Sequence, residues 1–450
     1  MDRPIVTRRA VAVRGLRFVR CRFVDCDVVL ARPSRLQSID VLRGAAVLAV
    51  MILHIPHREP NWGEPTTLRY WLMLPIEYGG YGVMLFIVIS GFCIHSSRLA
   101  QEASADSPST VRWRAFWKRR FVRLYPTYVA ALAFTLGVWC YVINLDYVKA
   151  QFLPADLLQH LTMTHNLTPD HPLTLNGPAW TLGVEEQLYL MYMAVLWFRR
   201  RGSMKSAVVV TFLVTLGWTI LLEFVPDVWT VGPVKLGSLN LWPFSFWFGW
   251  VLGALAAEIY HGRVRPAPWM SRPRIAVAAI LLTTIDHPFV WPHLTGHDTI
   301  GTSVLAWTHT TSRVPSEIIG WVHGGILIVA SAVPWFVLIN HFATRERVAG
   351  RSLRIPVRAV AWVGMISYSL YLTHVPVIQA FERLSDFTYR TDPGRVLWRY
   401  PLTLACMLLV GWLFFTLIER RFLFSGQKRR APASAGLIEA EGPVVRSRPL

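Results

Sequence analysis

Charge is scarce in this chain: 16% of its 450 residues are Asp, Glu, Lys or Arg, while 53% are hydrophobic. A soluble domain of that length carries more charge because its surface must face water, so the composition argues against a soluble globule. Cysteine is scarce as well. Cys21, Cys26, Cys93, Cys140 and Cys406 are scattered, with neither zinc-ligand spacing nor a disulfide framework. Residues 1–35 are not expected to act as a secretory signal, since arginines interrupt them every few positions and no continuous apolar core follows. Acidic residues number 27 against 46 basic ones, giving a net charge of +19. The basic residues fall between apolar stretches and do not gather in one domain, which favours topology signals over a nucleic-acid surface. No internal repeat is visible, which weakens a transporter built from inverted repeats.

What the sequence does have is long apolar runs and 20 tryptophans, the latter typical of membrane–water interfaces. Runs suited to crossing the hydrocarbon core lie at 38–56, 77–97, 124–144, 180–198, 206–225, 240–260, 274–291, 319–340, 359–380 and 401–418. They lack the alternation of barrel strands, so the expected fold is an all-α polytopic membrane protein of about ten helices. With the N-terminus inside, alternate segments hold about 36 of the 46 Lys and Arg and the intervening ones about nine, with Arg43 inside the first run. This places both termini in the cytoplasm. The expected organisation is a basic N-terminal extension (1–35), a membrane domain (36–422) and a C-terminal tail (423–450). A short amphipathic helix is expected near Ala155–Met163, in the outer segment 145–179.

Ionisable residues inside spans are costly and are functional suspects. Eleven residues separate Arg43 from His54, which puts both on one helical face about 16 Å apart. Their ordinary readings are a snorkelling arginine paired with Asp40 and an interfacial histidine. Ser90 and Gly91 suit close helix packing. Arg120 and Arg123, one turn apart, can offer two donor forks to a phosphate group, or simply be positive-inside charge. Glu185 and Glu186 in the opening turns of the fourth run are either site carboxylates or a helix-terminal cap. In the ninth run, Tyr368 and His374 sit on a hydroxyl-rich face that should point into the bundle.

These segments, in order, resemble the membrane-bound acyltransferase family 3, O-acyltransferases that modify lipopolysaccharide, peptidoglycan and other carbohydrates. The resemblance rests on Asp40-Val41-Leu42-Arg43-Gly44 with His54 after ten intervening residues, and on Phe86 to Phe92. It continues through Arg120 to Pro126, Val184 to Tyr189, and Ser367 to Pro376. It departs at Thr181 and Gly183, where serines are common, and at Met84, where an acidic residue is common.

The resemblance implies a catalytic His54, with Arg43, Arg120 and Arg123 serving the acyl donor. Placed by depth, the arginines fall on the inner side, while His54, Glu185 and His374 fall toward the outer side. Cytoplasmic acyl-CoA, by default acetyl-CoA, is then the co-substrate, with no bound cofactor and no metal. His54 would be the base that activates a carbohydrate or glycolipid hydroxyl, and Glu185 would orient its imidazole. Asp40, Glu186, Tyr189, Ser90, Tyr368 and His374 are supporting positions. The form resembles stand-alone members, with no hydrolase-like domain after the tenth run. The setting is a bacterial inner membrane, and the competing reading is a transporter or flippase for glycans or small molecules.

Overall fold

The computed structural model describes residues 12–13, 16–17, 36–55, 76, 78–103, 111–143, 154–169, 172–222, 228–231, 234–285, 313–349, 355–385 and 393–423. Contacts divide the chain into two units, residues 1–35 and 36–450. In the first, Ala12–Val13 and Leu16–Arg17 pair antiparallel as β1 and β2.

The second unit is helical. Its helices are α1 (Gln37–His54), α2 (Tyr81–Glu102), α3 (Trp113–Val138), α4 (Pro154–Leu161), α5 (Trp180–Arg201) and α6 (Met204–Leu222). After a hairpin of β3 (Val228–Val231) and β4 (Val234–Gly237) come α7 (Trp247–Tyr260), α8 (Pro273–Ile285) and α9 (Arg313–Ala349). The chain ends in α10 (Ile355–Met365), α11 (Ser367–Leu384), α12 (Pro393–Phe414) and the short α13 (Arg420–Leu423). The expected amphipathic helix in the outer segment is α4, which buries Asp156 and His160.

Among the described residues, five helices are long and apolar enough to cross a bilayer, or six if one bent pair counts as a span. That pair corrects the ninth expected run: α10 and α11 meet at 78° rather than forming one straight helix. The cause is local. Ile366 leaves helical geometry at φ −100°, ψ 8°, and its N–H bonds to Val363 O, three residues back. Helix α5 is not among the five, and its second turn explains why, because Glu185, Glu186 and Gln187 occupy it.

The outward faces read as lipid contact. Leu190, Met193 and Trp197 on α5, Val209 and Leu213 on α6, and Leu409 and Leu413 on α12 are exposed at helical spacing. With these apolar faces, the chain is an integral membrane protein. Two close approaches set the bundle's interior. A Cβ at Gly91 would stand 1.9 Å from Trp250 O, and one at Gly44 would stand 2.0 Å from Val360 O, so only glycine lets α2 meet α7 and α1 meet α10.

Candidate functional site

Two cavities open between these helices. The upper one, about 870 Å³, is lined by His54 and Val50 of α1, Tyr81 and Met84 of α2, Trp139, Trp180, Phe246, and Tyr371 and Gln379 of α11. The lower one, about 130 Å³, is lined by Arg43, Ser90, Arg123, Thr181, Glu185, Ser367, Tyr368 and Glu419. Val83 and Tyr371 belong to both walls, so the cavities meet there.

His54 occupies the last turn of α1, where the helix leaves its final carbonyls without backbone partners. Its Nδ1–H donates to Val50 O at 2.8 Å, which makes Nε2 the acceptor nitrogen. His374 is fully buried in the same style. Its Nδ1–H donates to Tyr371 O at 2.7 Å, and its Nε2 has no hydrogen-bond partner among the described residues. The two imidazoles meet edge to face, centroids 4.9 Å apart at 73°.

Below them, Tyr371 is fixed at the junction. Its hydroxyl donates to Pro178 O at 3.1 Å and accepts from Thr181 Oγ1 at 2.9 Å. The hydroxyl at 181 therefore has a definite role in holding the ring that divides the cavities. Gly183 also has a reason. A Cβ there would stand 2.6 Å from Asn166 Oδ1, and Asn166 pairs with Gln187 through two hydrogen bonds, Gln187 Nε2 donating to Asn166 Oδ1 at 2.8 Å and Asn166 Nδ2 to Gln187 Oε1 at 3.1 Å.

In the lower cavity, Glu185 accepts from Ser90 Oγ at 2.6 Å and from Tyr189 OH. This places the carboxylate differently from the expected partnership with His54. No hydrogen bond joins the two among the described residues, and they line different cavities. The reason is depth: Leu53, beside His54, packs on Gly79 and Gly80 at the start of α2. Ser90 lies ten residues further along, about 15 Å away at 1.5 Å per residue. Glu185 thus keeps company with Arg43 and Arg123, and His374 takes the place beside His54.

The other expected residues fall as follows. Arg43 Nη2 donates to Cys93 Sγ at 3.4 Å. Arg120 lies outside the lower cavity's lining, its guanidinium 5.8 Å from the Phe116 ring centre and 5.9 Å from that of Tyr189. Tyr368 OH donates to Leu124 O at 2.9 Å, Asp40 is buried in α1, and Glu186 is half-buried on α5.

Several buried polar groups escaped sequence reasoning. Glu419 sits in a π-helical turn (Phe415–Glu419) that ends α12, 4% exposed, and Ser369 Oγ donates to it at 2.5 Å. His95, Glu258 and Glu102 form a network with Tyr192 and Arg199. His95 reaches Tyr192 OH at 2.8 Å and Glu258 at 2.9 Å, and Arg199 bridges Glu258 and Glu102. Glu258 and His95 are ionisable groups within apolar runs, the signal that singled out Arg43. Among the described residues, no cluster of three or more His, Cys, Asp or Glu is arranged to hold a metal.

Comparison with known proteins follows the same outline. A family model described as an acyltransferase domain matches residues 36–416. A peptidoglycan O-acetyltransferase of Listeria monocytogenes is 26% identical over 412 residues, covering 85% of this chain and 55% of the relative. A putative O-acetyltransferase of Staphylococcus aureus is 22% identical over 405 residues, covering 87% and 58%. A regulator of hypoxia-inducible factor from Caenorhabditis elegans is 22% identical over 427 residues, covering 87% and 80%. The chain spans little more than half the length of the two bacterial relatives. No solved structure matches.

Proposed function

The chain belongs to the acyltransferase family whose model covers residues 36–416, and on that premise we propose that it is a membrane O-acetyltransferase. It takes an acetyl group from cytoplasmic acetyl-CoA and delivers it to a hydroxyl of a cell-envelope carbohydrate. Peptidoglycan, the acceptor in one relative's name, is the first to test. The setting is a bacterial inner membrane crossed ten times with both ends inside, a reading supported by the alternation of basic segments.

One observation carries this reading. Two cavities, one with arginines and one with a histidine, meet at Val83 and Tyr371. Arg43 and Arg123 supply positive charge where an anionic donor enters, and the thioester end passes Tyr371 toward His54. There the acceptor hydroxyl gives its proton to His54 Nε2 as its oxygen attacks the thioester carbonyl carbon. The tetrahedral intermediate collapses by breaking the carbon–sulfur bond, and the coenzyme thiolate takes the proton back from His54. The products are the acetyl ester and free coenzyme A.

Label transfer from radioactive acetyl-CoA by protein in lipid nanodiscs tests this. His54→Ala is expected to lose at least about 100-fold in rate, the usual worth of a general base, with its melting temperature retained. Arg123→Ala is expected to raise the donor KM. Wild-type transfer by His54→Ala would overturn the mechanism. Substrate movement without acyl transfer would favour the transporter reading.

A further inference from the structure

We propose that Trp139 and Gln379 form the acceptor subsite of the upper cavity and select an uncharged sugar. The proposal rests on the acetyltransferase reading above and adds the chemical class of its acceptor.

Trp139 opens a π-helical turn (Trp139–Ile143) that continues α3. Such turns break the regular side-chain register and are frequent at functional sites. The indole is nearly buried, and its Nε1–H donates to Gln379 Oε1 at 3.0 Å. That bond fixes the Gln379 amide: the carbonyl oxygen is taken by the indole, and the two Nε2 hydrogens are left for another partner. Among the described residues they donate to no protein group, and Gln379 lines the upper cavity together with Trp139 and His54. A held amide donor at a cavity wall suits an acceptor oxygen, either a sugar hydroxyl or the carbonyl of an N-acyl group. Gln379 follows His374 by five residues on α11, about 7.5 Å of helix rise. His374 touches His54, and His54 lines the same cavity as the donor pair.

The rest of the wall agrees. Tyr81, Trp180, Phe246 and Tyr371 add four aromatic rings, amphipathic or apolar faces suited to the C–H face of a pyranose. Among the described residues, no Asp, Glu, Lys or Arg lines this cavity. Among the described residues, the His54 imidazole is the one group there able to carry positive charge, so a uronate or sugar phosphate would give up its hydration for little counter-charge. Met84 contributes a thioether to this wall and packs against Gly249, in place of the charge a carboxylate would bring.

Saturation-transfer NMR on the full chain in nanodiscs tests the subsite without requiring turnover. The probes are methyl glucoside, methyl N-acetylglucosaminide and methyl glucuronide. Wild type is expected to bind the two neutral glycosides at least tenfold more tightly than the glucuronide. Gln379→Glu keeps the oxygen that the indole needs and removes the donors, and is expected to weaken the neutral glycosides at least tenfold. Trp139→Phe keeps a ring and releases the amide, which gives a second variant with the same expectation. Melting temperatures report which variants are folded. Equal binding of glucuronide, wild-type binding by either folded variant, or no saturation of any probe would overturn the subsite. Acetyl-CoA turnover, measured separately, distinguishes the two failures. Turnover without sugar discrimination sinks the subsite alone, and sugar binding without turnover sinks the enzymatic reading alone.

Discussion

A histidine in the last turn of a helix finds its own helix's carbonyl within reach, and His54 uses that bond to fix its tautomer. His374 does the same inside α11 and leaves its bare Nε2 beside the first ring. This pairing makes His374 a positioning residue. His374→Ala would open space next to His54 and let the ring turn, so kcat is expected to fall about tenfold or more while the donor KM is unchanged. A fall confined to folded yield would count against that role. A different residue governs stability. Glu258 is 1% exposed and is bound to both His95 and Arg199. Its removal in Glu258→Ala leaves His95 with Tyr192 and Arg199 with Glu102, one partner short each, expected to cost about 1–3 kcal/mol and to appear as a lower melting temperature. Arg43 and His54 stood out in the sequence because ionisable groups inside an apolar run are costly, whereas Arg123, just before its run, stood out only through its spacing from Arg120 and the family resemblance. The level of Glu185 was not legible. Helical spacing gives the face a residue shares with its own helix, but the neighbour across the bundle depends on how far α5 slides along α2.

Elements explain what periodicity hid. The run at 359–380 looks continuous because apolar residues continue through it, yet the chain turns by 78° at Ile366. The bend accompanies the contact of α10 with α1, where a Cβ on Gly364 would lie 1.8 Å from Asp40 O. Gly364→Ala must therefore push two backbones apart and is expected to destabilise by about 1–3 kcal/mol. Gly217 of α6 has nothing within 4 Å of an added Cβ, so Gly217→Ala is expected to be neutral or stabilising by about 0.5–1 kcal/mol. Thermal melts of the two variants side by side separate close approach from simple helix propensity.

The segment after α4 offers a pH test at the same scale. Burial, reinforced by the stacked His160 ring 3.9 Å away, pushes His165 down to about 3. In the unfolded chain the imidazole titrates near 6.5. Below that value the unfolded state takes up a proton that the folded state refuses, so stability is full above pH 6.5 and falls toward pH 3, by up to about 1.4 kcal/mol per unit. His165→Phe is expected to flatten the dependence of melting temperature between pH 5 and 7.5.

At the scale of the whole molecule, composition and charge order announced a membrane bundle, and five motif segments in order identified its family. Length and apolarity alone credit fewer helices with crossing. Charged and amide side chains turned inward lower the apparent hydropathy of α5, and α7 is only 14 residues long. A count of apolar residues scores a site-bearing helix low, because a site is polar. The basic clusters do not share that weakness, since they sit at the ends. Their alternation makes one prediction about the entire chain: positions 119 and 174 face opposite sides of the membrane. Arg119 is exposed near the start of α3, and Thr174 borders the upper cavity. In a cysteine-free background, Arg119→Cys should react with a membrane-impermeant maleimide only when the cytoplasmic face is open. Thr174→Cys should react in intact spheroplasts. Labelling of both from one side would remove the vertical order of donor and acceptor. His54 would then be a base on the same face as the coenzyme, and the junction at Tyr371 would be a wall instead of a passage.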